Sequence, residues 1–210
     1  MLNSEELSQL SQMYAFVGNS LLKPMNQTAG PGLDPAFWSA LPDFGNAGVR
    51  EALDELFEFS LKAAAVQDAS TEVSVEYTRL FVGPPSPAAA PWETYYPSAP
   101  EGVDPSTIAE PSSGFGEPTF AMKKLLRESG LVVNGDSRQM EDHIGIELLY
   151  LSILYDRAAQ GDSEALDEAA AFIVLHPGHW IDRLTAKVET AFPNGYIASL
   201  LHLTKALLAL

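Results

Sequence analysis

The sequence predicts an all-α fold: a single-domain helical bundle of about seven to nine helices with one long proline-rich loop. Most segments place apolar residues three or four positions apart, as amphipathic helices do. No segment alternates polar and apolar residues over the length of a strand. Nine of the fifteen prolines fall between Pro84 and Pro118, a stretch much longer than an ordinary helix connection. We therefore expect residues 1–210 to form one domain with a loop at about 82–117.

In the N-terminal half, four stretches carry helical patterns of apolar residues. Ser4 is expected to cap the first of them, and Pro24 ends it because proline lacks the amide hydrogen that a helix interior needs. The four predicted stretches are residues 4–23, a short turn around Phe37 and Trp38, residues 48–69, and a helix from Thr71 to Gly83.

In the C-terminal half, five further helices are predicted on the same grounds. Pro118 occupies a first-turn position that tolerates proline, and Ser137 and Ser163 are suitable residues to open a helix. The predicted stretches are residues 118–129, 137–161, 163–175, 180–191 and 196–210.

The composition excludes several classes of protein. The chain has no cysteine, which excludes disulfides, thiolate metal ligands and cysteine nucleophiles and fits a reducing compartment. The N-terminus lacks the basic region of a secretory signal, and no apolar run approaches the roughly 20 residues of a membrane span. We expect a cytoplasmic protein with no stable membrane insertion.

The chain is strongly acidic, with 28 acidic residues against 12 basic ones and a net charge of −16. Such a charge repels nucleic acid and anionic membranes, so no nucleic-acid partner is expected. Two interpretations remain open: the charge serves solubility alone, or the partner of the protein is cationic.

A first candidate cluster lies in "YTRLFVGPPSPAAAPWETYY", residues 77–96. Prolines after Gly83 restrict the backbone to extended conformations, and Trp92, Tyr95 and Tyr96 then follow within five residues. A stiffened segment with large amphipathic rings suits peptide recognition. The alternative is that the rings fold back and plug the helical core.

A second cluster is "EDHIGIELLY", residues 141–150. Glu141, Asp142 and His143 are expected in the first turn of a helix, where the helix dipole favours carboxylates. His143 and Glu147 lie four positions apart, so they share a helix face and could ligate a metal. The alternative is an acidic helix start with one hydrogen-bonded histidine.

A third cluster is "HPGHW", in which His176 and His179 flank a helix break and Trp180 follows. The two histidines could be metal ligands or parts of a satisfied polar turn. With the second cluster they permit an enzyme hypothesis, a helical metal-dependent hydrolase using His143, Glu147, His176 and His179. A scaffold that offers a minimal P-x-x-P ligand in the loop is a third possibility.

Taken in order, the three clusters resemble the signature of the TorD/DmsD/NarJ family of redox-enzyme maturation chaperones. The first family motif is Y/W-x-x-L-F-x-G-P followed by P-P-W-x-S-x-Y/W. Thr94 replaces the serine, and Ala90 replaces the first proline of the pair. The matching residues are Tyr77, Leu80, Phe81, Gly83, Pro84, Pro91, Trp92 and Tyr96.

The second family motif, E-P-x-D-H-x-G, aligns with "QMEDHIG". Gln139 and Met140 depart from it, which removes one acidic group and the proline that starts the helix. A third element, F-x-x-x-H-x-x-x-W, completes the set. The matching residues of these two motifs are Asp142, His143, Gly145, Phe172, His176 and Trp180.

The resemblance implies an all-α cytoplasmic chaperone that is not an enzyme, and we expect no cofactor or metal of its own. Such chaperones bind the twin-arginine signal peptide and the apo form of a molybdopterin oxidoreductase of the dimethyl-sulfoxide-reductase class, an enzyme of anaerobic respiration. They hold back export until the cofactor is inserted. Both a monomer and a domain-swapped dimer, with the long loop as its hinge, are compatible with the resemblance.

The resemblance also implies a site for the signal peptide. Glu141 and Asp142 are expected to meet its guanidinium groups, and Phe81, Trp92 and Tyr96 to cover its apolar stretch. The expected signal-peptide-binding residues are Tyr77, Phe81, Trp92, Tyr96, Glu141, Asp142, His143, His176 and Trp180.

Overall fold

The structure is a computed structural model that describes residues 2–28, 30–97, 114–133 and 139–210 of the chain. In these ranges it contains nine α-helices and no β-strand, which confirms the predicted all-α class. Two 3₁₀ helices, Met25–Gln27 and Glu93–Tyr95, accompany them. The α-helices are α1 (Ser4–Leu22), α2 (Pro35–Ser39), α3 (Ala47–Ala63), α4 (Ala69–Phe81), α5 (Glu117–Glu128), α6 (Ile144–Ala159), α7 (Glu164–Leu175), α8 (Pro177–Ala191) and α9 (Tyr196–Leu208).

Helices α1 and α6 pack against each other in the core and bring two glycines into contact. A β-carbon added at Gly145 would lie only 2.6 Å from the carbonyl oxygen of Gly18, so the helices approach closely there. Further along the pair, Ser11 donates a hydrogen bond of 2.7 Å to the carbonyl of Ser152. Gly145 belongs to the second sequence motif, and its small size therefore fixes where the start of α6 sits in the bundle.

Helix α9 packs against α3, α4 and α8 and begins on a buried carboxylate. The side chain of Glu76, on α4, accepts hydrogen bonds from the amides of Tyr196 (3.1 Å) and Ile197 (2.9 Å). These amides are among the unpaired donors at a helix N-terminus, so Glu76 joins α4 to α9.

The predicted boundaries in the N-terminal half need three corrections. Asn3, not Ser4, caps α1: its Oδ1 accepts from the amides of Glu5 and Glu6, and the Glu6 carboxylate accepts from the Asn3 amide. Helix α3 ends at Ala63, six residues before the predicted end, and α4 begins at Ala69 rather than Thr71. Between them Asp68 has a left-handed backbone (φ 64°), which breaks the helical path.

The C-terminal half needs similar corrections. Ser137, the predicted opening of the sixth helix, lies outside the described residues, and α6 begins at Ile144. Ser163 precedes α7, but its side chain accepts no capping hydrogen bond; the Asp162 carboxylate accepts one from the Glu164 amide instead. Helix α8 begins at Pro177, three residues before the predicted start.

The predicted loop at 82–117 is described up to residue 97 and from residue 114, and residues 98–113 lie outside the described ranges. Its first part folds back on α4, because the Ala89 amide donates to the Leu80 carbonyl at 2.9 Å. Ala89 and Ala90 are buried. The loop therefore reaches Trp92 along the surface of the bundle core.

None of the described helices has both the length and the hydropathy that crossing a lipid bilayer requires.

Candidate functional site

The loop segment of residues 91–96 is paired with the start of α6. Trp92 and His143 form an antiparallel β-bridge. The Glu93 amide donates to the Asp142 carbonyl at 3.0 Å, and the Ile144 amide donates to the Pro91 carbonyl at 2.9 Å. Backbone hydrogen bonds thus join the first sequence cluster to the second.

The buried side chain of Asp142 fixes the position of the loop segment 91–96. This side chain is fully buried, and its Oδ2 accepts a hydrogen bond of 3.0 Å from the Thr94 amide. The Thr94 hydroxyl is in turn 3.1 Å from the hydroxyl of Thr119 on α5. Burial raises the pKa of Asp142, although the hydrogen bonds from Thr94 oppose that shift. Asp142 lies before α6, which begins at Ile144, so the prediction that it occupies the first turn of the helix is wrong.

His143 caps α6. Its Nδ1 accepts a hydrogen bond of 3.0 Å from the Gly145 amide, so the ring proton is on Nε2. The ring is fully buried and meets Trp92 edge to face, with the ring centres 5.7 Å apart. Burial lowers the pKa of His143 to about 3. The histidine is therefore neutral, as a hydrogen-bonded helix cap.

The two histidines of the third cluster converge on Glu93. His176 Nδ1 lies 2.8 Å from one carboxylate oxygen of Glu93, and His179 Nε2 lies 2.7 Å from the other. Burial opposes ionisation of Glu93, but the hydrogen bonds from both histidines outweigh it and lower its pKa to about 2. This hydrogen-bonded group connects the loop to the junction of α7 and α8.

Glu147 lies beside that group in the interior. It is fully buried, and its Oε2 accepts a hydrogen bond of 3.2 Å from the Trp180 indole. Burial, and then the charge of Glu93, raise the pKa of Glu147 well above its ordinary value. Glu93, whose pKa is lowered, and Glu147, whose pKa is raised, therefore lie next to each other in the interior.

The predicted metal set of four residues does not assemble in the described part of the chain. The group whose ligand atoms lie within 4.8 Å of one another consists of Glu93, Glu147 and His176. His143 and His179 are not members of this group, and the Nδ1 atom of His143 instead accepts a hydrogen bond from the Gly145 amide. Because His143 and Glu147 are four positions apart, the sequence predicted that they share a helix face. His143, however, precedes α6, and only Glu147 lies in the helix.

The aromatic end of the loop segment packs on α8. The rings of Tyr96 and Trp180 are stacked, with centres 5.1 Å apart. The guanidinium of Arg183 lies over the Tyr96 ring at 5.6 Å and donates to the carbonyls of Tyr96 and Pro97. Tyr96 and Trp180 are buried, whereas Trp92 is half-buried.

A groove of about 690 Å³ opens beside this junction, between the loop segment, the start of α5 and the break between α7 and α8. It combines acidic groups with apolar side chains such as Leu175, which is 66% exposed. The lining residues are Glu93, Thr94, Tyr96, Pro97, Phe115, Gly116, Glu117, Pro118, Ala121, Leu175, His176 and His179.

Most of the predicted site residues meet at this junction, and three lie elsewhere. Tyr77 and Phe81 are buried in the core face of α4, with their rings 5.1 Å apart. Glu141 is half-buried and lines a different concavity with the basic residues of α5. The residues gathered at the junction are Trp92, Tyr96, Asp142, His143, His176 and Trp180.

Sequence reasoning missed Glu93, Thr94 and Arg183. Glu93 occupies a variable position of the first motif, between Trp92 and Thr94, so the motif gives it no weight. One signal in the sequence could have identified Glu93. It is an acidic residue next to the motif aromatics, and the two histidines at the helix break are possible partners for it.

Comparisons with known proteins agree with the motifs. The family described as "Nitrate reductase delta subunit" matches residues 45–186, about two thirds of the chain and the part that contains all three motifs. The protein named "Chaperone protein TorD" from Vibrio atlanticus (strain LGP32) is 25% identical over 166 residues, which cover 77% of this chain and 72% of the relative. The chain therefore belongs to the nitrate reductase delta subunit family, whose TorD/NarJ-type members are molybdoenzyme maturation chaperones and not hydrolases.

Proposed function

We propose that the protein is a cytoplasmic chaperone that binds the twin-arginine leader of a molybdopterin oxidoreductase of the dimethyl-sulfoxide-reductase class. It would assist cofactor insertion into the apo enzyme before export. The observation that carries the proposal is the groove beside the junction of the motifs, which offers acidic and apolar groups together. Family membership supports the class of client.

The groove matches the chemistry of such a leader. A twin-arginine leader joins a cationic region to an apolar one, and helical or extended apolar segments bind in grooves of this kind. Glu117, at the start of α5, is exposed in the groove, and the net charge of −16 attracts cations over longer distances. Leu175 and Pro118 supply apolar surface beside it.

The predicted site residues divide into two kinds in this proposal. His176 lines the groove and is expected to contact the leader, whereas Tyr96 lines it with only 2% of its surface exposed and supports the groove wall. Asp142, His143 and Trp180 are buried, so they act by holding the loop segment in position. We therefore do not propose that Asp142 contacts the guanidinium groups directly. Its role is indirect, because it accepts the hydrogen bond of the Thr94 amide and so positions the loop segment.

The role of the groove can be tested by titrating a labelled twin-arginine peptide against the wild type and Leu175→Ser. We expect the substitution to weaken binding about tenfold, because it removes an exposed apolar contact worth about 1.4 kcal/mol. Val174→Ser is the matched control, since Val174 is the neighbouring residue, is 71% exposed and does not line the groove. Equal affinities of Leu175→Ser and the wild type would remove the groove from the binding site.

The charge requirement is tested with a second peptide in which both arginines are replaced by glutamine. Weaker binding of this peptide, with a smaller dependence on salt concentration, is expected if acidic groups recognise the leader. Unchanged affinity would show that the leader is held by its apolar part alone.

We also propose that residues 1–210 form a single chaperone domain. Whether it acts as a monomer or as a domain-swapped dimer is decided by sedimentation velocity of the purified chain with and without the peptide.

A further inference from the structure

We propose that Glu93, Glu147 and His176 form a binding site for a divalent cation of the zinc type. One ligand atom from each of these residues lies within 4.8 Å of the others. They belong to the loop segment, to α6 and to the residue between α7 and α8, so a bound ion would fasten three parts of the chain together. The inference does not depend on leader binding.

The ligand chemistry suits zinc. Zinc accepts imidazole nitrogen and carboxylate oxygen, and sites with three protein ligands keep a fourth position open. Bonds of about 2.0–2.2 Å in a tetrahedral site place neighbouring ligand atoms about 3.3–3.6 Å apart. The contact of His176 with Glu93, now 2.8 Å, needs to open by less than about 1 Å for an ion to enter. Calcium and magnesium prefer ligand sets made of oxygen alone.

A second observation points to a ligand. Glu147 is fully buried in the cluster, and among the described residues no amide, hydroxyl or cationic side chain donates to its Oε1, which has the Glu93 carboxylate as its neighbour. Within the same ranges, no lysine or arginine pairs with Glu93 or Glu147. A buried carboxylate oxygen without a donor is costly, and a bound cation would remove that cost.

The surroundings of Glu93 are those of an oriented metal ligand. His179 Nε2 lies 2.7 Å from the Glu93 oxygen that does not face His176. Hydrogen bonds of this type fix the direction of a ligating carboxylate. His179 is therefore a positioning residue in this proposal.

A second histidine–carboxylate cluster, around His202, serves as a control for the proposed zinc site. His202 lies 2.8 Å from Glu55 through Nδ1 and 2.8 Å from Glu189 through Nε2, near the surface. The two carboxylates are on opposite sides of the imidazole ring, so one ion could reach the ring and only one of them. The His202 cluster therefore contains the same residue types as the proposed zinc site, but its three side chains cannot bind one ion together.

The experiment is a calorimetric titration of zinc into the metal-stripped full chain near neutral pH. We expect one zinc ion per wild-type chain, and at least about tenfold weaker binding by Glu147→Gln, because loss of even a supporting group costs 10–100-fold. His202→Asn should bind zinc like the wild type, and magnesium should not compete. Cobalt in place of zinc adds an absorption spectrum that reports imidazole and carboxylate coordination.

Circular dichroism checks that the variants fold. His176→Asn removes a ligand from a different part of the chain and provides the same test if Glu147→Gln is unfolded. Absence of zinc binding by the wild type would overturn the proposal, and so would equal binding by the wild type and the ligand variants.

Discussion

Two histidine–carboxylate clusters of this protein contain the same kinds of side chain at similar distances but lie in different surroundings. In the buried cluster, one carboxylate, Glu93, is held by two histidines at 2.8 and 2.7 Å. In the surface cluster, one histidine, His202, is held by two carboxylates at 2.8 Å each. The Glu93 side chain is 5% exposed, whereas the Glu55 and Glu189 side chains are 39% and 45% exposed.

The difference shows that hydrogen-bond length does not measure what a polar cluster contributes. Water screens the surface cluster, and such ion pairs stabilise by about 0–1 kcal/mol. The buried cluster is not screened, and removing one partner leaves polar groups that water cannot reach. It also joins a loop to a helix junction more than 80 residues away, so it fixes tertiary structure that local sequence does not.

Removing the shared carboxylate of the buried cluster should destabilise the protein more than any other substitution considered below. Glu93→Ala should lower the free energy of unfolding by about 3 kcal/mol, because it leaves two half-buried histidines without their acceptor. Glu189→Ala in the surface cluster should cost less than about 1 kcal/mol. Urea denaturation measures both, and equal losses would contradict the distinction between the clusters.

The neighbouring carboxylate of Asp142 gives a smaller effect with a clean control. Asp142→Ala leaves the Thr94 amide without an acceptor and should cost about 2 kcal/mol. Asp142→Asn keeps an acceptor oxygen, so its free energy of unfolding should stay within about 1 kcal/mol of the wild type. If asparagine destabilises as much as alanine, the charge of Asp142 and not its hydrogen bond is what matters.

Much of the fold could be predicted from the sequence, and the reasons are local. Periodic apolar residues predicted the helices, because the buried face of a helix repeats every three or four residues. Helix ends were less accurate: Asn3 and Ser4 are both good caps, and only the geometry of the chain selects Asn3.

The candidate site was predictable only in part. The motifs identified Trp92, Asp142 and His176, but no local pattern shows that His176 and His179 share Glu93, since the partners are more than 80 residues apart. The burial of Asp142 is likewise a tertiary property. An acidic residue before a helix has the same local sequence whether it faces solvent or the Thr94 amide.

The pH dependence of stability should separate Glu147 from the surface carboxylates. The pKa of Glu147 is raised in the folded state, so above about pH 4.5 the unfolded chain releases a proton that the folded chain retains. Stability therefore falls as pH rises from that value to the folded pKa. Glu147→Gln mimics the protonated acid and should remove this loss, which thermal unfolding of metal-free protein at several pH values measures. A pH profile that matches the wild type would show that Glu147 is ionised in the fold.

The smallest expected effect concerns His202. Its hydrogen bonds to Glu55 and Glu189 outweigh partial burial and raise the pKa of His202. A raised folded pKa stabilises the protein below the unfolded value of about 6.5, and the gain disappears as pH rises through the folded pKa. His202→Asn should therefore be less stable than the wild type by less than about 1 kcal/mol near pH 5.5, and equal to it at high pH. A difference that persists at high pH would have to come from packing.

The central claim, that the groove beside Glu93 receives the leader, is tested most directly by photo-crosslinking. A twin-arginine peptide with a photoreactive group in its apolar part is irradiated on the protein, and mass spectrometry identifies the labelled residues. We expect labels at the start of α5, residues 117–121, and at the break between α7 and α8, residues 175–179. Labels confined to other surfaces, such as the concavity that Glu141 lines, would contradict it.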